Sequence, residues 1–374
     1  MKFIIAPDSF KGCLRSDEVA AVMHKAAASV FPDARFVVLP AADGGEGTAD
    51  VFVKMTNAAL INVRVTGPLG EKVNARYGYV AEQKLAFMDM ASASGIELVP
   101  KSLRNPLHTS TYGTGELIYD ALRRGAETII IGIGGSATVD GGTGMLRALG
   151  YSLTDKNGVD IGNGGQSLER LMHIGIKTAV PELKKCRFRI ACDVNNILTG
   201  PSGSAYVYGP QKGADPEMTA RLDVGMTNFF KVCVNHGLTH RLEKPGDGAA
   251  GGLCFALRVF CGGTSESGAE LYSEISGYEN ELCDADYVIT GEGRTDDQTA
   301  YGKLCAVLAV KAKKKNVKTI LISGSICGNL NLINDVFDAA FSTVSGIMTL
   351  DEAIEKSKET IFFTVRNAVS LLKK

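Results

Sequence analysis

Short apolar runs and helix-like stretches alternate at both ends of the chain. Residues 3–6 form an uninterrupted apolar run, and the next segment repeats apolar residues at helical spacing: Val19, Val22, Met23, Ala26 and Val30. Further strand-like runs are 36–39, 287–290, 319–322 and 340–343, with helical stretches near 304–314 and from 351 onward. Alternation of this kind predicts an α/β fold around a largely parallel sheet.

The middle of the chain has a different pattern. Residues 62–80 contain two alternating runs around Gly67-Pro68-Leu69-Gly70, which is typical of a β-hairpin. Glycine-rich connections follow at 162–165, 200–203 and 248–252. We therefore predict an open α/β domain formed by residues 1–60 and 285–374, interrupted by a second α/β domain at 61–284.

The length fits a chain of about two domains, and the composition excludes some classes of binding partner. Of the 374 residues 45% are hydrophobic, so a large core is available. With 40 basic and 41 acidic residues the formal net charge is −1, and no basic block stands out, so neither nucleic acid nor a membrane is an expected partner. No apolar stretch reaches about 18 residues and the first apolar run soon meets Asp8, which predicts a cytoplasmic protein.

Several common kinds of site have no support in the sequence. The nine cysteines are scattered and never spaced C-x-x-C, and the five histidines form no ligand pattern, so reduced thiols are expected rather than disulfides or zinc. No G-x-S-x-G elbow supports a serine hydrolase. Gly302-Lys303 is followed by leucine, so the Walker A motif of P-loop kinases is absent.

Two acidic, glycine-rich segments mark the expected site, GIGGSATVDGG at 132–142 and VITGEGRTDDQT at 288–299. Four carboxylates lie in them: Asp140, Glu292, Asp296 and Asp297. Glycine lets backbone N–H groups approach an anion, but these carboxylates would repel bare phosphate. Magnesium resolves that conflict because it binds carboxylates together with phosphate oxygens. The pairing predicts a nucleotide-dependent phosphotransferase.

Other candidates lie where strands of the first domain end, which is where open α/β sheets bind ligands. The segments predicted there are APDSFKG at 6–12, ADGGEGT at 42–48, GEGRTDDQT at 291–299 and SGS at 323–325. Lys11 can place a point charge on phosphate or on a substrate carboxylate, with Asp8 and Ser9 beside it. Asp43 and Glu46 suit either a metal ion or a helix cap. We expect the active site at this end of the sheet, facing the insertion.

The insertion supplies three more candidate groups. Asp193, in ACDVNN after the apolar run 188–191, suits magnesium or a substrate hydroxyl, or else an Asx turn. Gln211 and Lys212 place an amide and a cation on the loop GPQKG. Arg104 is either a bidentate carboxylate clamp or a surface arginine.

The segment GIGGSA also fits the dinucleotide fingerprint G-x-G-x-x-A, with Asp155 about twenty residues further on. A nicotinamide-dependent hydroxy-acid dehydrogenase is therefore an alternative, as is a plain tight turn. Against the dehydrogenase, Gly141 and Gly142 fall where a helix should begin, and each costs about 1 kcal/mol relative to alanine. We interpret the segment as a phosphate or substrate loop.

Ten ordered segments carry a family resemblance. They are IIAPDSFKG, ADGGEGTADV, VTGPLG, MASASGIELV, TYGTGELI, GIGGSATVDGGTGM, ACDVNN, YGPQKGA, GAAGGL and ADYVITGEGRTDDQT. Over nearly the whole chain they resemble the type 1 bacterial glycerate kinase family, which is unrelated to P-loop and ribokinase-like kinases. The resemblance implies transfer of the ATP γ-phosphoryl group to D-glycerate. It also implies a flavodoxin-like (Rossmann-like) domain of discontinuous sequence with an inserted domain of restriction-enzyme-like architecture.

The sequence departs from the family pattern at a few positions. Ile197 stands where proline is usual, Val139 where asparagine is frequent, and Gly12-Cys13 where Glu-Ser is more common. None of these changes removes a candidate carboxylate, lysine or loop glycine. These changes bear on how the protein distinguishes chemically similar hydroxy acids.

Phosphoryl transfer relies mainly on positioning and charge stabilisation, which suggests a role for each candidate. Magnesium bound with ATP would be held by some of four carboxylates: Asp43, Asp193, Glu292 and Asp296. Phosphate and the glycerate carboxylate would meet Asp8, Ser9, Lys11, Arg104, Gln211, Lys212 and Arg294. Backbone N–H groups of Gly134, Gly135 and Ser136 would hold an anion. Asp193 is the predicted acceptor of the glycerate hydroxyl proton, with Asp296 second and Lys11 as a catalytic cation.

Two questions stay open at this level. The resemblance favours 2-phosphoglycerate as product, and 3-phosphoglycerate is the alternative. A noncatalytic protein that binds ATP or a hydroxy acid is a further alternative, although so many acidic groups near strand ends are costly unless a metal or cation uses them. We predict that the two glycine-rich segments form opposite walls of a cleft that closes on its small-molecule substrates.

Overall fold

The chain folds into two compact units, as the computed structural model shows for residues 1–41, 48–239, 242–300 and 302–373. The first unit combines Met1–Asp43 with Gly268–Lys374, and the second is Gly44–Ser267. Each unit contains its own sheet. Across the residues described, no helix is both long enough and apolar enough to cross a membrane.

Strands and helices alternate along much of the chain. The strands are β1 (Lys2–Ile5), β2 (Arg35–Val38), β3 (Ala59–Thr66), β4 (Lys72–Val80), β5 (Leu85–Asp89), β6 (Thr128–Gly132), β7 (Ser152–Thr154), β8 (His173–Gly175), β9 (Arg187–Ala191), β10 (Thr264–Glu266), β11 (Tyr287–Thr295), β12 (Lys318–Ile326) and β13 (Ala339–Ser342). The helices are α1 (Ser16–Val30), α2 (Thr48–Thr56), α3 (Ala91–Ser94), α4 (Tyr112–Arg123), α5 (Thr143–Ala148), α6 (Ser204–Tyr208), α7 (Pro216–Asn235), α8 (Ala249–Cys261), α9 (Gly268–Ile275), α10 (Tyr278–Glu281), α11 (Asp297–Ala300), α12 (Leu304–Lys314), α13 (Leu330–Val336), α14 (Leu350–Glu355) and α15 (Ser357–Ser370).

A five-stranded sheet in the order β13-β12-β11-β1-β2 forms the centre of the first unit, and all its neighbouring strands are parallel. Helices cover both faces. Ile320 and Ile322 pack with α1 and α15 on one face, while Leu321 packs with α12 and α13 on the other. Burial on both faces is typical of parallel strands and explains their unbroken apolar runs. The predicted α/β fold with parallel sheet is confirmed.

Strand β1 lies in the interior of this sheet, between β11 and β2. Phe3 pairs with Tyr287 on one side and with Phe36 on the other. The ring of Phe3 stacks on both neighbours, with centroids 5.4 Å from Tyr287 and 5.5 Å from Phe36. The first strand-like run of the sequence therefore becomes a central strand with aromatic cross-strand contacts.

The second unit has a six-stranded mixed sheet in the order β10-β9-β6-β5-β4-β3. Strands β5, β6, β9 and β10 are parallel neighbours, whereas β3, β4 and β5 are antiparallel. The hairpin predicted at 62–80 is confirmed, because β3 and β4 pair from Ala59 with Tyr79 to Thr66 with Lys72. A separate antiparallel ribbon joins β7 and β8.

The second unit begins and ends earlier in the sequence than the insertion predicted at 61–284. At its start, α2 packs against β4 and β5, and the Phe52 and Phe87 rings lie 5.1 Å apart. At its end, α9 and α10 pack within the first unit, where α9 contacts α12 and Tyr278 donates a hydrogen bond to the carbonyl of Leu308. The sequence of a helix does not show which sheet it will cover, so the packing of these helices sets the unit bounds.

Candidate active site

Three sequence-predicted residues lie together after β1 in the first unit. The backbone N–H of Asp8 donates to the carbonyl of Gly291 over 2.7 Å, which extends β1 along β11. A Cβ on Gly293 would lie 3.2 Å from Phe10 Cα and 3.3 Å from the backbone nitrogen of Lys11. The segment with Asp8, Ser9 and Lys11 is therefore packed directly against the end of β11, next to Glu292 and Arg294. Asp8 is buried and Lys11 is exposed.

Glu292 is a buried carboxylate held by two threonines. Its Oε1 accepts hydrogen bonds from Thr295 Oγ1 at 2.9 Å and from Thr299 Oγ1 at 2.7 Å. Burial raises the pKa of Glu292, the negative charge of Asp296 adds to that effect, and the hydrogen bonds and Lys303 oppose it. A positive ligand beside Glu292 and Asp296 would relieve this cost, so the pair suits a cation.

Asp296 lies between two cations. Lys303 Nζ is 3.6 Å from Asp296 Oδ1, and Arg294 Nε is 3.8 Å from Asp296 Oδ2. Arg294 is largely exposed, so this contact is screened by solvent. The neighbouring Asp297 has a structural contact: its Oδ1 accepts a 2.6 Å hydrogen bond from the backbone N–H of Asn329, at the start of α13.

In the second unit the GIGGSA loop follows β6 and is fixed by the segment after β5. The backbone N–H of Ile96 donates to the carbonyl of Gly135 at 2.8 Å, and Ala137 donates to Ser94 at 2.9 Å. Gly135 is exposed and has φ of +71°, which favours glycine. Gly134 is half-buried and Ser136 is 8% exposed. The loop is thus a fixed turn with its tip at the surface of the unit.

Lys212 reaches the same loop from a distant part of the chain. Its Nζ donates to Ser136 Oγ at 2.6 Å and to the carbonyl of Thr138 at 2.7 Å, and the side chain is 2% exposed. Burial lowers the pKa of Lys212 to about 7, while the charge of Asp140 acts in the opposite direction. Nζ also lies 5.8 Å from the centre of the Tyr208 ring. Lys212 and Ser136, two of the predicted residues, are therefore in direct contact.

The loop that carries Lys212 is positioned by glycine. Gly213 has φ of +93°, and a Cβ there would lie 2.2 Å from the carbonyl oxygen of Arg104. Arg104 itself donates from Nε to the carbonyl of Val99 at 3.3 Å and from Nη2 to that of Ile96 at 3.4 Å. Its guanidinium is thus engaged with backbone carbonyls close to the GIGGSA loop. Gln211 is exposed on the same turn as Lys212.

Asp140 is fully buried and satisfied by protein donors. Its Oδ2 accepts from the backbone N–H and the hydroxyl of Thr111, both at 2.8 Å, and from Gly144 N–H at 3.3 Å. Its Oδ1 accepts from Gly142 N–H at 3.1 Å, and burial raises its pKa. This carboxylate organises the turn before α5 and contributes negative charge near Lys212.

Asp193 follows the carboxyl end of β9 and is exposed. Its loop is joined to the Lys212 region through Asn196, whose Oδ1 accepts from the hydroxyl of Tyr208 at 2.7 Å. Asn196 Nδ2 also donates to the carbonyl of Ser202 at 3.1 Å. The ACDVNN, YGPQKGA and GIGGSA segments are therefore linked within the second unit.

Some contributing residues gave no signal in the sequence. Tyr208 and Asn196 join two of the motifs, yet single tyrosines and asparagines are too common to single out. Thr138 is fully buried, and its Oγ1 has no hydrogen-bond partner among the residues that the structure describes. A fully buried hydroxyl without a hydrogen-bond partner is unusual.

The predicted magnesium ligands are carboxylates, which are the hard oxygen donors that magnesium requires. Glu292 and Asp296 belong to the first unit and Asp193 to the second, while Asp43 lies outside the described residues. In the described part of the chain, no group of three histidines, cysteines or carboxylates is arranged to hold a metal ion. The Glu292–Asp296 pair is thus a partial donor set, and phosphate oxygens are the usual complement.

Comparison with known proteins identifies the family of this chain. A family profile described as the glycerate kinase family matches residues 3–373. The chain is 45% identical over 373 residues to glycerate 2-kinase of Escherichia coli (strain K12), covering 100% of this chain and 98% of that protein. It is also 45% identical over 375 residues to glycerate kinase of Bacillus subtilis (strain 168), with the same coverage.

A solved structure agrees with these relatives. The crystal structure of a protein assigned as glycerate kinase 2 from Salmonella typhimurium LT2 superposes with a TM-score of 0.88 at 45% sequence identity. The match covers 100% of this chain and 98% of that one. Identity at this level along the full length shows common ancestry as well as a common fold, and the family resemblance seen in the sequence is confirmed: this chain belongs to the glycerate kinase family.

Proposed function

We propose that this protein is an ATP-dependent glycerate kinase that transfers the γ-phosphoryl group to the 2-hydroxyl of D-glycerate. The observation that carries the proposal is full-length 45% identity to the Escherichia coli protein named glycerate 2-kinase. The carboxylates and cations found within each unit suit phosphoryl transfer, which needs charge stabilisation rather than covalent chemistry from the protein. The expected location is the cytoplasm.

The two units would have distinct architectures. The strand order of the first unit, read from β2 through β1, β11 and β12 to β13, is 2-1-3-4-5 in order along the chain, which is the flavodoxin-like order. This supports a flavodoxin-like domain of discontinuous sequence, which the sequence predicts at 1–60 and 285–374 and which the first unit forms from Met1–Asp43 and Gly268–Lys374. The second unit, Gly44–Ser267, would be the restriction-enzyme-like insertion that the sequence predicts at 61–284.

Magnesium would be held by some of the four predicted carboxylates: Asp43, Asp193, Glu292 and Asp296. When bound, the ion neutralises charge on the phosphoryl oxygens. The raised pKa of Glu292 supports its part, because a cation restores the ionised form that burial disfavours. The hydroxyls of Thr295 and Thr299 would keep the carboxylate oriented.

The remaining candidates would bind the phosphates and the glycerate carboxylate. Those on the first unit are Asp8, Ser9, Lys11 and Arg294, and those on the second are Arg104, Gln211, Lys212 and the loop Gly134-Gly135-Ser136. The packing of Lys11 against Gly293 supports a shared site with Glu292. The surface position of Gly135 supports anion binding at the tip of the second-unit loop.

A dehydrogenase is disfavoured by the loop geometry. In the dinucleotide fingerprint the glycines open directly into a helix whose N-terminus faces the pyrophosphate. Here α5 begins only at Thr143, and Gly141 and Gly142 both have positive φ, so the helix does not follow GIGGSA directly. The match to the fingerprint is then a coincidence of glycines.

The proposal is tested with purified protein, Mg²⁺, ATP and D-glycerate. ADP formation that requires glycerate, followed by ³¹P NMR of the product, should identify 2-phosphoglycerate. A 3-phosphoglycerate signal would correct the acceptor hydroxyl. Absence of ADP together with reduction of a nicotinamide cofactor would replace the kinase by a dehydrogenase, and ligand binding without turnover would make the chain a binding protein.

Asp193 is tested by Asp193→Asn, with Glu82→Gln as a matched loss of an exposed carboxylate in the second unit. We expect Asp193→Asn to raise the Mg²⁺ concentration needed for half-maximal rate and to lower kcat at least about tenfold. Glu82→Gln should resemble wild type. Equal kinetics for the two variants would remove Asp193 from the site.

A further inference from the structure

Ser136 and Lys212 form a buried polar pair at the base of the GIGGSA loop. Their side chains meet at 2.6 Å, and Lys212 Nζ also donates to the carbonyl of Thr138 at 2.7 Å. Lys212 is 2% exposed and Ser136 is 8% exposed, whereas the adjacent Gly135 lies at the surface of the unit. Ser136 is therefore the more exposed member of the pair, and it adjoins a surface residue of the loop.

The partners of Lys212 suit an uncharged amine. A carbonyl oxygen can only accept a hydrogen bond, so one N–H faces Thr138, whereas a serine hydroxyl either donates or accepts. A neutral lysine would donate to Thr138 and accept the Ser136 proton at its lone pair. Burial lowers the pKa of Lys212 to about 7, so near neutral pH roughly half of the molecules hold the neutral amine.

Two other titratable groups lie near Lys212, Asp140 and Tyr208, and neither is available to accept the proton. Asp140 interacts with it through charge, but the Asp140 carboxylate is bound to Thr111, Gly142 and Gly144. Tyr208 presents its ring to Nζ, its hydroxyl donates to Asn196, and burial raises its pKa, so it keeps its proton at neutral pH.

We propose that Ser136 and Lys212 together accept the hydroxyl proton of glycerate. The glycerate hydroxyl gives its proton to Ser136 Oγ while Ser136 passes its own proton to Lys212 Nζ. The glycerate oxygen bonds to the γ-phosphorus, and the bond from that phosphorus to the bridging oxygen of ADP breaks. Lys212 is left as the ammonium ion and later returns the proton to water. The inference rests on the proposed kinase function. It assigns the base to this pair in place of Asp193, which stays a candidate metal ligand, and it replaces the phosphate-binding role proposed for Lys212.

A separate observation concerns the hydroxyl of Thr138 beside this pair. Thr138 supplies the carbonyl that holds Lys212, and its own hydroxyl is fully buried without a partner among the described residues. A buried hydroxyl of this kind normally finds a hydrogen bond, from protein, water or ligand. The cluster therefore has hydrogen-bonding capacity that the folded chain alone does not use.

The test compares Ser136→Ala, Lys212→Arg and Lys212→Ala with the control Lys231→Ala, which removes an exposed lysine of α7. Kinase activity is measured with Mg-ATP and D-glycerate from about pH 5.5 to 9. We expect wild-type kcat to rise with pH and to level off above about pH 7, because the neutral amine is the active form. Ser136→Ala and Lys212→Arg should each lower kcat about 10²- to 10³-fold with little change in KM. Lys231→Ala should keep the wild-type profile.

Chemical rescue separates a base from a structural lysine. Small primary amines added to Lys212→Ala should restore activity, and the rate constant per concentration of unprotonated amine should increase with the pKa of the amine, because a stronger base takes the proton more readily. Circular dichroism establishes that the variant is folded. If Lys212→Ala does not fold, Ser136→Thr against Ser136→Ala serves instead, since threonine keeps the hydroxyl and should recover most of kcat.

Several results would overturn the inference. Near-wild-type kcat for Lys212→Arg would show that only the charge matters. Rescue that does not depend on amine pKa would show a packing role, as would equal kcat for the alanine and threonine variants of Ser136. Loss of the pH dependence in Asp193→Asn but not in Ser136→Ala would return the base to Asp193. A wild-type protein that does not phosphorylate glycerate at any pH contradicts the proposed function itself, and the inference falls with it.

Discussion

Replacing Lys212 by methionine should stabilise the fold near neutral pH even as it removes activity. Methionine matches the apolar stem of lysine, and the side chain is 2% exposed, so the volume stays filled. An ordinary lysine has a pKa of 10.5, whereas burial lowers that of Lys212 to about 7 in the folded protein. Between these values the unfolded chain binds more protons, so folding must release one. The methionine variant has no such cost.

The magnitude follows from the same two values. The gap between 10.5 and about 7 corresponds to about 5 kcal/mol near pH 7, at about 1.4 kcal/mol per pH unit. Against this, methionine loses the hydrogen bonds to Ser136 Oγ and to the carbonyl of Thr138. Loss of the two together costs about 2–4 kcal/mol. We therefore expect Lys212→Met to be more stable by about 1–3 kcal/mol near pH 7.

The pH dependence makes the test decisive. As pH rises from about 7 towards 10.5, the unfolded lysine loses its proton and wild type gains up to about 1.4 kcal/mol per pH unit relative to the variant. The advantage of Lys212→Met should therefore shrink with rising pH and reverse near about pH 8 to 9. Urea unfolding at several pH values gives the difference directly, with Lys231→Met as the exposed control. A variant that is less stable at neutral pH, by an amount that does not change with pH, would mean that Lys212 is charged in the folded protein.

Three further predictions concern the surroundings of the two candidate loops. Asp140→Ala should lower the free energy of unfolding by about 3–5 kcal/mol in urea titrations, because it leaves four donors unmatched, and a loss below about 1 kcal/mol would contradict its structural role. Gly251→Ala should cost about 3 kcal/mol or more, since a Cβ there would lie 1.9 Å from the carbonyl oxygen of Thr138, whereas Gly237→Ala, at a similar φ of +67° in open space, should lose only the strain of about 1 kcal/mol. Glu292→Gln should unfold at a higher temperature than wild type at about pH 7, because burial raises the pKa of Glu292 and its ionised form opposes folding. That advantage should shrink as pH falls towards the ordinary glutamate value of 4.5 and be absent below it; no change with pH would refute this.

Local patterns of the sequence predicted much of the fold. The strand-like runs at 3–6, 287–290 and 319–322 correspond to β1, β11 and β12, because strands of a parallel sheet are apolar on both faces and end at glycine or polar residues. The hairpin at 62–80 was predicted equally well. The bounds of the two units could not be predicted, because the contacts of α2 and α9 decide which unit each helix joins, and their periodicity does not show those contacts.

The candidate site was predictable in composition and less so in geometry. Lys212 was expected on a rigid loop as a cation for phosphate, and nothing local shows that it is buried. Its burial comes from Ser136 and Thr138, which approach from a distant segment, and from Tyr208 beside it. Asp140 was predicted only as one of the carboxylates of the two glycine-rich segments, and acidic residues in such segments look alike in sequence. Its four donors are supplied by the fold.

The interior position of β1 has a consequence for synthesis on the ribosome. β1 and β2 are translated before the second unit, but β11, which pairs with β1 on its other side, is translated only after it. The second unit can complete its sheet as soon as β10 has emerged from the ribosome. It should therefore fold while the first unit still lacks β11, β12 and β13. During that interval the Phe3 strand has an apolar, unpaired edge in the nascent chain. Translation pauses near β10 would prolong that exposure and increase aggregation, and binding of this segment by a chaperone would counteract it.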